Sequence, residues 1–232
     1  VNQAAKWSHM LGGQSSPSVT IRGIINRGGE QGAQHSQALH AWFAHVPGLR
    51  VVMPSTVADA RDLMISSVLC KDPVVYIDDR WLYDQEDSLP PVHEEKLQSI
   101  KPSLTKQGND ITIVGSGHAS FLCRQSYEIL LEKGYKPEII DVRVLNPLDI
   151  EVIVQSVIKT KRLLVVDSGW ISCGFSSEII SKTIERIPVD CLLKPPRKLA
   201  LPDAPAPTSR VLEKLYYTSV KDVVSQAIEI LE

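Results

Sequence analysis

Two rhythms of apolar residues alternate along the chain. Short apolar or alternating runs bounded by glycine and proline predict strands, and apolar residues three and four apart predict helices. Residues 2–10 read as a helix stopped by Gly12 and Gly13. "SVTIR" (18–22) is a predicted strand, followed by the glycine loop "GGEQG" (28–32) and a helix expected from Ser36 to Ala44. "LRVVMP" (49–54) predicts a buried strand closed by Pro54. Thr56, with Asp59 three residues on, predicts a capped helix over 57–69, whose Ala60, Leu63, Met64 and Val68 share a helical spacing. "PVVYID" (73–78) predicts another strand. A charged, proline-rich stretch then reads as a crossing linker, 86–108, with short extended pieces.

A second alternating set follows. "DITIVGSG" is strand plus turn, 119–133 a helix ending at Gly134, and "PEIIDV" a strand. Asp149 caps a helix to Thr160, "RLLVVDS" (162–168) is a strand, and 174–187 carries a stripe of Ile179, Ile180, Thr183, Ile184 and Ile187. "VDCLL" (189–193) reads as a short strand, and "KPPRKLALPDAPAP" as surface chain. Ser219 with Asp222 caps a last helix to Leu231. Strand and helix alternating in this way predict α/β architecture with parallel sheets. Fewer strands are visible before residue 80 than a covered open sheet needs, so further strands are expected from outside this chain or from a partner. The N-terminal helix, with no methionine before it, reads as entering in the middle of a larger domain.

Composition narrows the function classes. Hydrophobic residues make up 43% and charged residues 22%, the balance of a globular protein. A net charge of -2 gives no basis for nucleic acid as a partner, and no apolar run is long enough for a membrane span. Cys70, Cys123, Cys173 and Cys191 are scattered without C-x-x-C spacing, which suits reduced thiols in a cytoplasmic protein better than zinc or disulfides.

The candidate chemistry lies in three places. "GSGHAS" (115–120) half matches a dinucleotide fingerprint, but Ser120 stands where a third glycine belongs, and a tight βα turn is the preferred reading, with His118 a polar residue at the helix start. Asp167 and Ser168 end a strand and read as turn and cap residues, since no G-x-S-x-G elbow surrounds the serine. His35, His40 and His45 are spaced by five, a turn of about 140° on a helix, so they cannot converge on one metal. His40 and His45 read as surface or packing residues. His35 stands apart: it follows the glycines and is expected on the first turn of a helix, where the N-terminal field favours a neutral ring that can donate or accept a proton near pH 7. A plain structural cap is the competing reading.

Several of these blocks together resemble a known family. "VNQAAKW", "GAQHSQALHAWFAHVPGLRVVMPSTVADARDL", "DPVVYID", "IIDVRVLNPLD" and "LLVVDSGWISCGFSSEI" are similar to the β subunit of 2-oxo acid dehydrogenase E1 components, transketolase-like enzymes that depend on thiamine diphosphate. The resemblance implies part of a pyrimidine-binding domain with a parallel sheet over 1–85, the linker 86–108, and a separate three-layer α/β/α transketolase C-terminal domain over 109–232. It implies that His35 is the family's active-site histidine, facing the thiazolium and stabilising charge or moving protons during decarboxylation and acyl transfer to lipoamide. Ketol transfer is the alternative reaction. The implied partners are an α-type E1 subunit that holds the diphosphate and Mg²⁺, a second copy through the C-terminal domain, and a lipoyl acyltransferase.

Two departures qualify the match. No residue corresponds to the family glutamate that protonates the aminopyrimidine, which lies in an earlier segment, so this chain alone is expected to be inactive. Cys70 also occupies the acidic position of a monovalent-cation site found in many family members, and no cation is assigned there. A non-catalytic assembly or regulatory module that retains the fold is the rival reading; the intact His-Ser-Gln block weighs against it.

Overall fold

The parallel pairing that the alternating pattern predicts is realised in two sheets. The computed structural model describes residues 1–232. The first half runs α1 (Asn2–Met10), β1 (Thr20–Ile25), α2 (Gly32–His35), α3 (His40–Ala44), β2 (Arg50–Val52), α4 (Val57–Leu69) and β3 (Val74–Asp79). The second runs β4 (Ser103–Lys106), β5 (Ile111–Gly115), α5 (Gly117–Glu132), β6 (Pro137–Asp141), β7 (Val144–Asn146), α6 (Glu151–Thr160), β8 (Leu163–Trp170), α7 (Phe175–Ile184), β9 (Arg197–Leu201), α8 (Arg210–Tyr216) and α9 (Val220–Leu231). No helix is long and apolar enough to cross a membrane.

The first sheet has the order β1-β3-β2-β7 and the second β4-β6-β5-β8-β9. Strands β1, β2 and β3 are parallel, while β7 joins β2 antiparallel. One strand that the sequence pattern assigns to an outside segment or a partner therefore comes from this chain's own second half. Its pairing is short, Val51 with Asn146 and Val52 with Val144, and it covers the β2 edge, while β1 keeps an open edge with Ile21 and Ile24 exposed.

The second sheet is the middle layer of three. Helices α5 and α9 pack on one face, where Ala119, Leu122, Cys123 and Leu130 meet Val223, Val224, Ala227 and Ile230. Helices α6 and α7 cover the other face. Their Ile153, Val154, Val157, Phe175 and Ile179 share one core with Val51, Met53, Val75 and Ile77 of the first half. Because one apolar cluster spans both halves, neither sheet buries its inner face without the other.

Local rules place most elements. The Thr56 hydroxyl accepts from the Asp59 N–H at 3.1 Å, and Ser219 and Asp222 form a reciprocal capping box. Gly134, at φ +88°, follows α5 as a left-handed C-terminal stop. Two expectations near the end are corrected. "VDCLL" is not a strand: it lies between Pro188 and Pro195, and Val189 projects fully into solvent. The fifth strand is instead β9, inside the stretch read as surface chain. Leu199 pairs with Val166 and Leu201 with Trp170, Leu201 is buried, and the Lys198 ammonium escapes the sheet by donating to Ile171 O and Ser177 Oγ, both at 2.9 Å.

A polar seam also ties the halves. Arg124 on α5 donates to Ser55 Oγ at 2.7 Å and to Ser55 O at 2.8 Å, and Ser55 Oγ donates to Asp141. Burial pushes the Asp141 carboxyl up to about 6, against the pull of the Ser55 hydrogen bond and the Arg124 charge. Between the unfolded value near 4 and the folded value near 6, the folded state holds a proton the unfolded chain has lost. This group's contribution therefore weakens as pH rises through that window. In urea titrations across it, Asp141→Asn should gain on the wild-type protein by on the order of 2 kcal/mol from the acid to the neutral end. A difference that stays constant with pH would show that Asp141 ionises normally.

Candidate active site

Ligands of parallel α/β sheets bind at the carboxyl ends of the strands, and here that edge is built from the loops after β1 and β3. β1 runs into Asn26–Gln31 and β3 into Asp79–Leu82. Arg27 Nη2 lies 2.6 Å from Asp79 Oδ2, with both side chains buried. Asp79 Oδ1 also accepts the Trp81 N–H at 3.1 Å, turning the chain so that the indole covers the pair. The guanidinium carbon is 5.5 Å from the Trp81 ring and 5.8 Å from the Tyr217 ring, within cation–π range of both. Burial raises the Asp79 carboxyl against the opposing pull of Arg27.

His118 is the next member of this cluster, with its ring 5.1 Å from Trp81 and 5.8 Å from Phe121. Burial, and then the Arg27 charge, push its pKa down to about 3, so the ring is neutral. The sequence places His118 at a helix start, which is correct, but does not foresee that its ring meets Trp81 from the segment after β3. The "GSGHAS" turn is the tight βα turn expected. A Cβ on Gly115 would lie 2.7 Å from Ser120 N, and one on Gly117 2.7 Å from Met53 Cε, so packing rather than a phosphate fills the space.

His35 sits on the rim of this edge, and its local setting corrects the sequence expectation. The helix expected over 36–44 is two pieces. α2 starts earlier, at Gly32, and His35 is its last residue rather than a first-turn residue. The premise of an N-terminal helix field at His35 therefore fails. Ser36 (φ -107°, ψ 25°) and Leu39 (φ -93°, ψ 15°) bracket the break before α3. The break has a physical counterpart on each side: His35 is exposed, whereas His40 is completely buried against the second half. The chain on either side of His35 carries polar contacts. Asn26 donates to Gln31 Oε1 at 3.0 Å, Arg80 donates to Asn26 Oδ1 at 2.7 Å, and Gln37 donates to Gln34 O at 3.2 Å.

His40 has a partner that sequence spacing does not reveal. Its Nε2 lies 2.8 Å from Asp167 Oδ1, across 127 residues of chain. Asp167 and Ser168 are not turn residues but lie within β8, both buried. Asp167 also accepts the N–H groups of Gly169 at 2.9 Å and Ser176 at 2.8 Å, so it caps α7 from the neighbouring strand. Burial alone would raise the Asp167 pKa. The His40 charge and hydrogen bond, with the two backbone donors, outweigh it and hold the carboxyl at about 2. His45 is exposed, as a surface histidine should be. Cys70, Cys123, Cys173 and Cys191 are all free thiols. No three His, Cys, Asp or Glu side chains come together to hold a metal ion.

A sheet whose strand ends carry a glycine loop and a histidine, fused to a three-layer α/β/α unit, defines a transketolase-type pairing of domains. Residues 1–85 match the transketolase pyrimidine-binding domain and residues 101–223 the transketolase C-terminal domain, and the chain belongs to this thiamine-diphosphate-dependent family. Within it, the chain is similar to β subunits of E1-type dehydrogenases. It is 32% identical to the acetoin:2,6-dichlorophenolindophenol oxidoreductase subunit beta of Bacillus subtilis, over 100% of this chain and 67% of the relative. It is 34% identical to the mitochondrial pyruvate dehydrogenase E1 component subunit beta of Dictyostelium discoideum, over 98% of this chain and 64% of the relative. The corresponding Homo sapiens subunit is 32% identical over 97% of this chain and 63% of its own length. The chain thus spans about two thirds of the length of these three relatives. A solved structure described as "Split gene transketolase, inactive beta4 tetramer" shares the fold, with a TM-score of 0.74 at 21% identity over 92% of this chain and 66% of that one.

The packing of the glycine loop against Trp81 yields a direct test. Gly28 has φ +72°, and a Cβ there would lie 2.6 Å from Trp81 Cζ2. Gly28→Ala should cost about 2 kcal/mol or more of stability and change the Trp81 environment. Thermal unfolding read by tryptophan fluorescence checks both; an unshifted midpoint and spectrum would mean that the loop is not held against the indole.

Proposed function

We propose that this chain supplies the β-type wall of a thiamine-diphosphate-dependent 2-oxo acid dehydrogenase and that His35 acts at its reacting centre. The observation that carries the reading is the position of His35: an exposed imidazole on a polar rim, at the carboxyl edge of a parallel sheet. Bound thiamine diphosphate supplies a carbanion able to add to the carbonyl of a 2-oxo acid and accept its electrons as carbon dioxide leaves. The residues of this chain fit one side of such a cofactor only. Asn26 and Gln31, on the loop that leads to His35, and Arg80, which donates to Asn26, offer neutral or cationic hydrogen-bonding groups, while in this reading the diphosphate and Mg²⁺ fall to an α-type partner. His35 would hold or pass a proton at the substrate oxygen, and later at the acceptor that takes the acyl group.

The names of the relatives, each a subunit beta, support an α-type partner. Lipoamide is the acyl acceptor in this reading, with a lipoyl acyltransferase docking on the assembled enzyme and a second copy meeting the C-terminal domain. In the complete assembly, His35→Ala should lower turnover by about 10² to 10³-fold while leaving cofactor affinity within a few-fold of wild type. Steady-state kinetics with a series of 2-oxo acids, and a cofactor titration, make the comparison. Unchanged turnover in the variant would remove His35 from the chemistry.

A further inference from the structure

The loop that presents His35 is held from both halves of the molecule: Asp79 and Trp81 meet its start, and the second half meets its crest. Glu30 stands at its crest with φ +64°, a left-handed conformation that a side chain disfavours. Its N–H donates to Glu213 Oε1 at 3.0 Å, across 183 residues. Glu213 lies on α8 and is buried, an uncommon setting for a carboxylate, while its neighbours Val211, Leu212 and Leu215 are exposed. Thr208, just before α8, closes the other end of the loop: a Cβ on Gly32 would lie 2.9 Å from its Oγ1. Trp81 and Tyr217 press on the first residues of the loop through Arg27 and Gly28.

The helix that carries the clamp is itself anchored elsewhere. Trp170, at the end of β8, donates to Ala204 O and Tyr216 Oη, both at 2.9 Å, and the Tyr216 hydroxyl donates to Ala204 O at 2.7 Å. Leu201, Ala206 and Tyr217 form a small apolar cluster beneath it. Position is thus transmitted from the second sheet, through α8, to the backbone immediately before α2.

We propose that Glu213 is a positioning residue for His35: it accepts the Glu30 N–H, holds the loop in its left-handed turn, and so fixes where α2 and the imidazole at its end stand. The assignment of the loop clamp is independent of the reaction; only its catalytic consequence rests on the function proposed above. A side-chain acceptor is needed but its charge is not, because a Gln amide oxygen accepts the same N–H.

The test uses Glu213→Ala and Glu213→Gln in the full chain. Amide hydrogen exchange read by mass spectrometry should show residues 28–35 exchanging about tenfold faster in Glu213→Ala, with β5 and β8 unchanged, and near wild-type protection in Glu213→Gln. In the assembled enzyme, Glu213→Ala should lower kcat with KM little changed, and Glu213→Gln should restore it. Wild-type exchange in Glu213→Ala overturns the clamp. Faster loop exchange with unaltered kcat overturns the positioning role when His35→Ala is inactive; when His35→Ala also keeps its turnover, the proposed function fails and the clamp stands.

Discussion

A carboxylate buried between two sheets organises this molecule. Asp167 collects the His40 imidazole from one half and two backbone N–H groups from the other, so its charge is satisfied only when both are docked. Its cost of burial is offset by donors from α3, from β8 itself and from α7. The surrounding cluster of Met53, Val75, Ile77, Val114 and Phe175 is shared between the halves in the same way. The break between α2 and α3 follows from this pin. His40 is drawn inward, and the short segment from Ser36 to Leu39 takes up the change of direction that leaves His35 outside.

The rim around His35 and the floor beneath it are built on opposite principles. The floor is a buried Arg–Asp pair flanked by Trp81 and Tyr217, with a neutral His118 alongside. The rim is exposed and polar, formed by Asn26, Gln31 and Arg80. The role proposed for His35 calls for solvent or substrate access together with a positioned backbone. The glycine loop leaves His35 exposed while Glu213 accepts from its crest.

Much of the fold was legible in the sequence because it is governed by local rules. Caps at Thr56 and Ser219, the stop at Gly134, and the alternation of strand and helix are written within a few residues of where they act. What was not legible depends on partners far along the chain. β9 hides in a proline-rich stretch whose only local signal is the spacing of Leu199 and Leu201. The expected strand at 189–193 fails because hydrophobic content alone does not supply a neighbour to pair with. Within the candidate site, His35 stood out through its motif. Arg27, Asp79, Trp81, His118 and Tyr217 did not, because no spacing rule connects the loop after β1 with the segment before α9. His40 was weighed as a surface or packing residue, and packing is its role, but its carboxylate partner could be identified only in three dimensions.

The β7 strand carries a consequence for how the protein is made. It completes the first sheet at its β2 edge, yet it lies more than ninety residues after β2 and is flanked on both sides by elements of the second sheet. A chain emerging from the ribosome cannot finish its first sheet until residue 146 has been released, by which point β4, β5 and β6 are already out. The two halves must therefore mature together rather than in sequence. In the interval, the uncovered β2 edge and the unburied inner faces of both sheets are open to wrong pairing until that three-residue strand arrives.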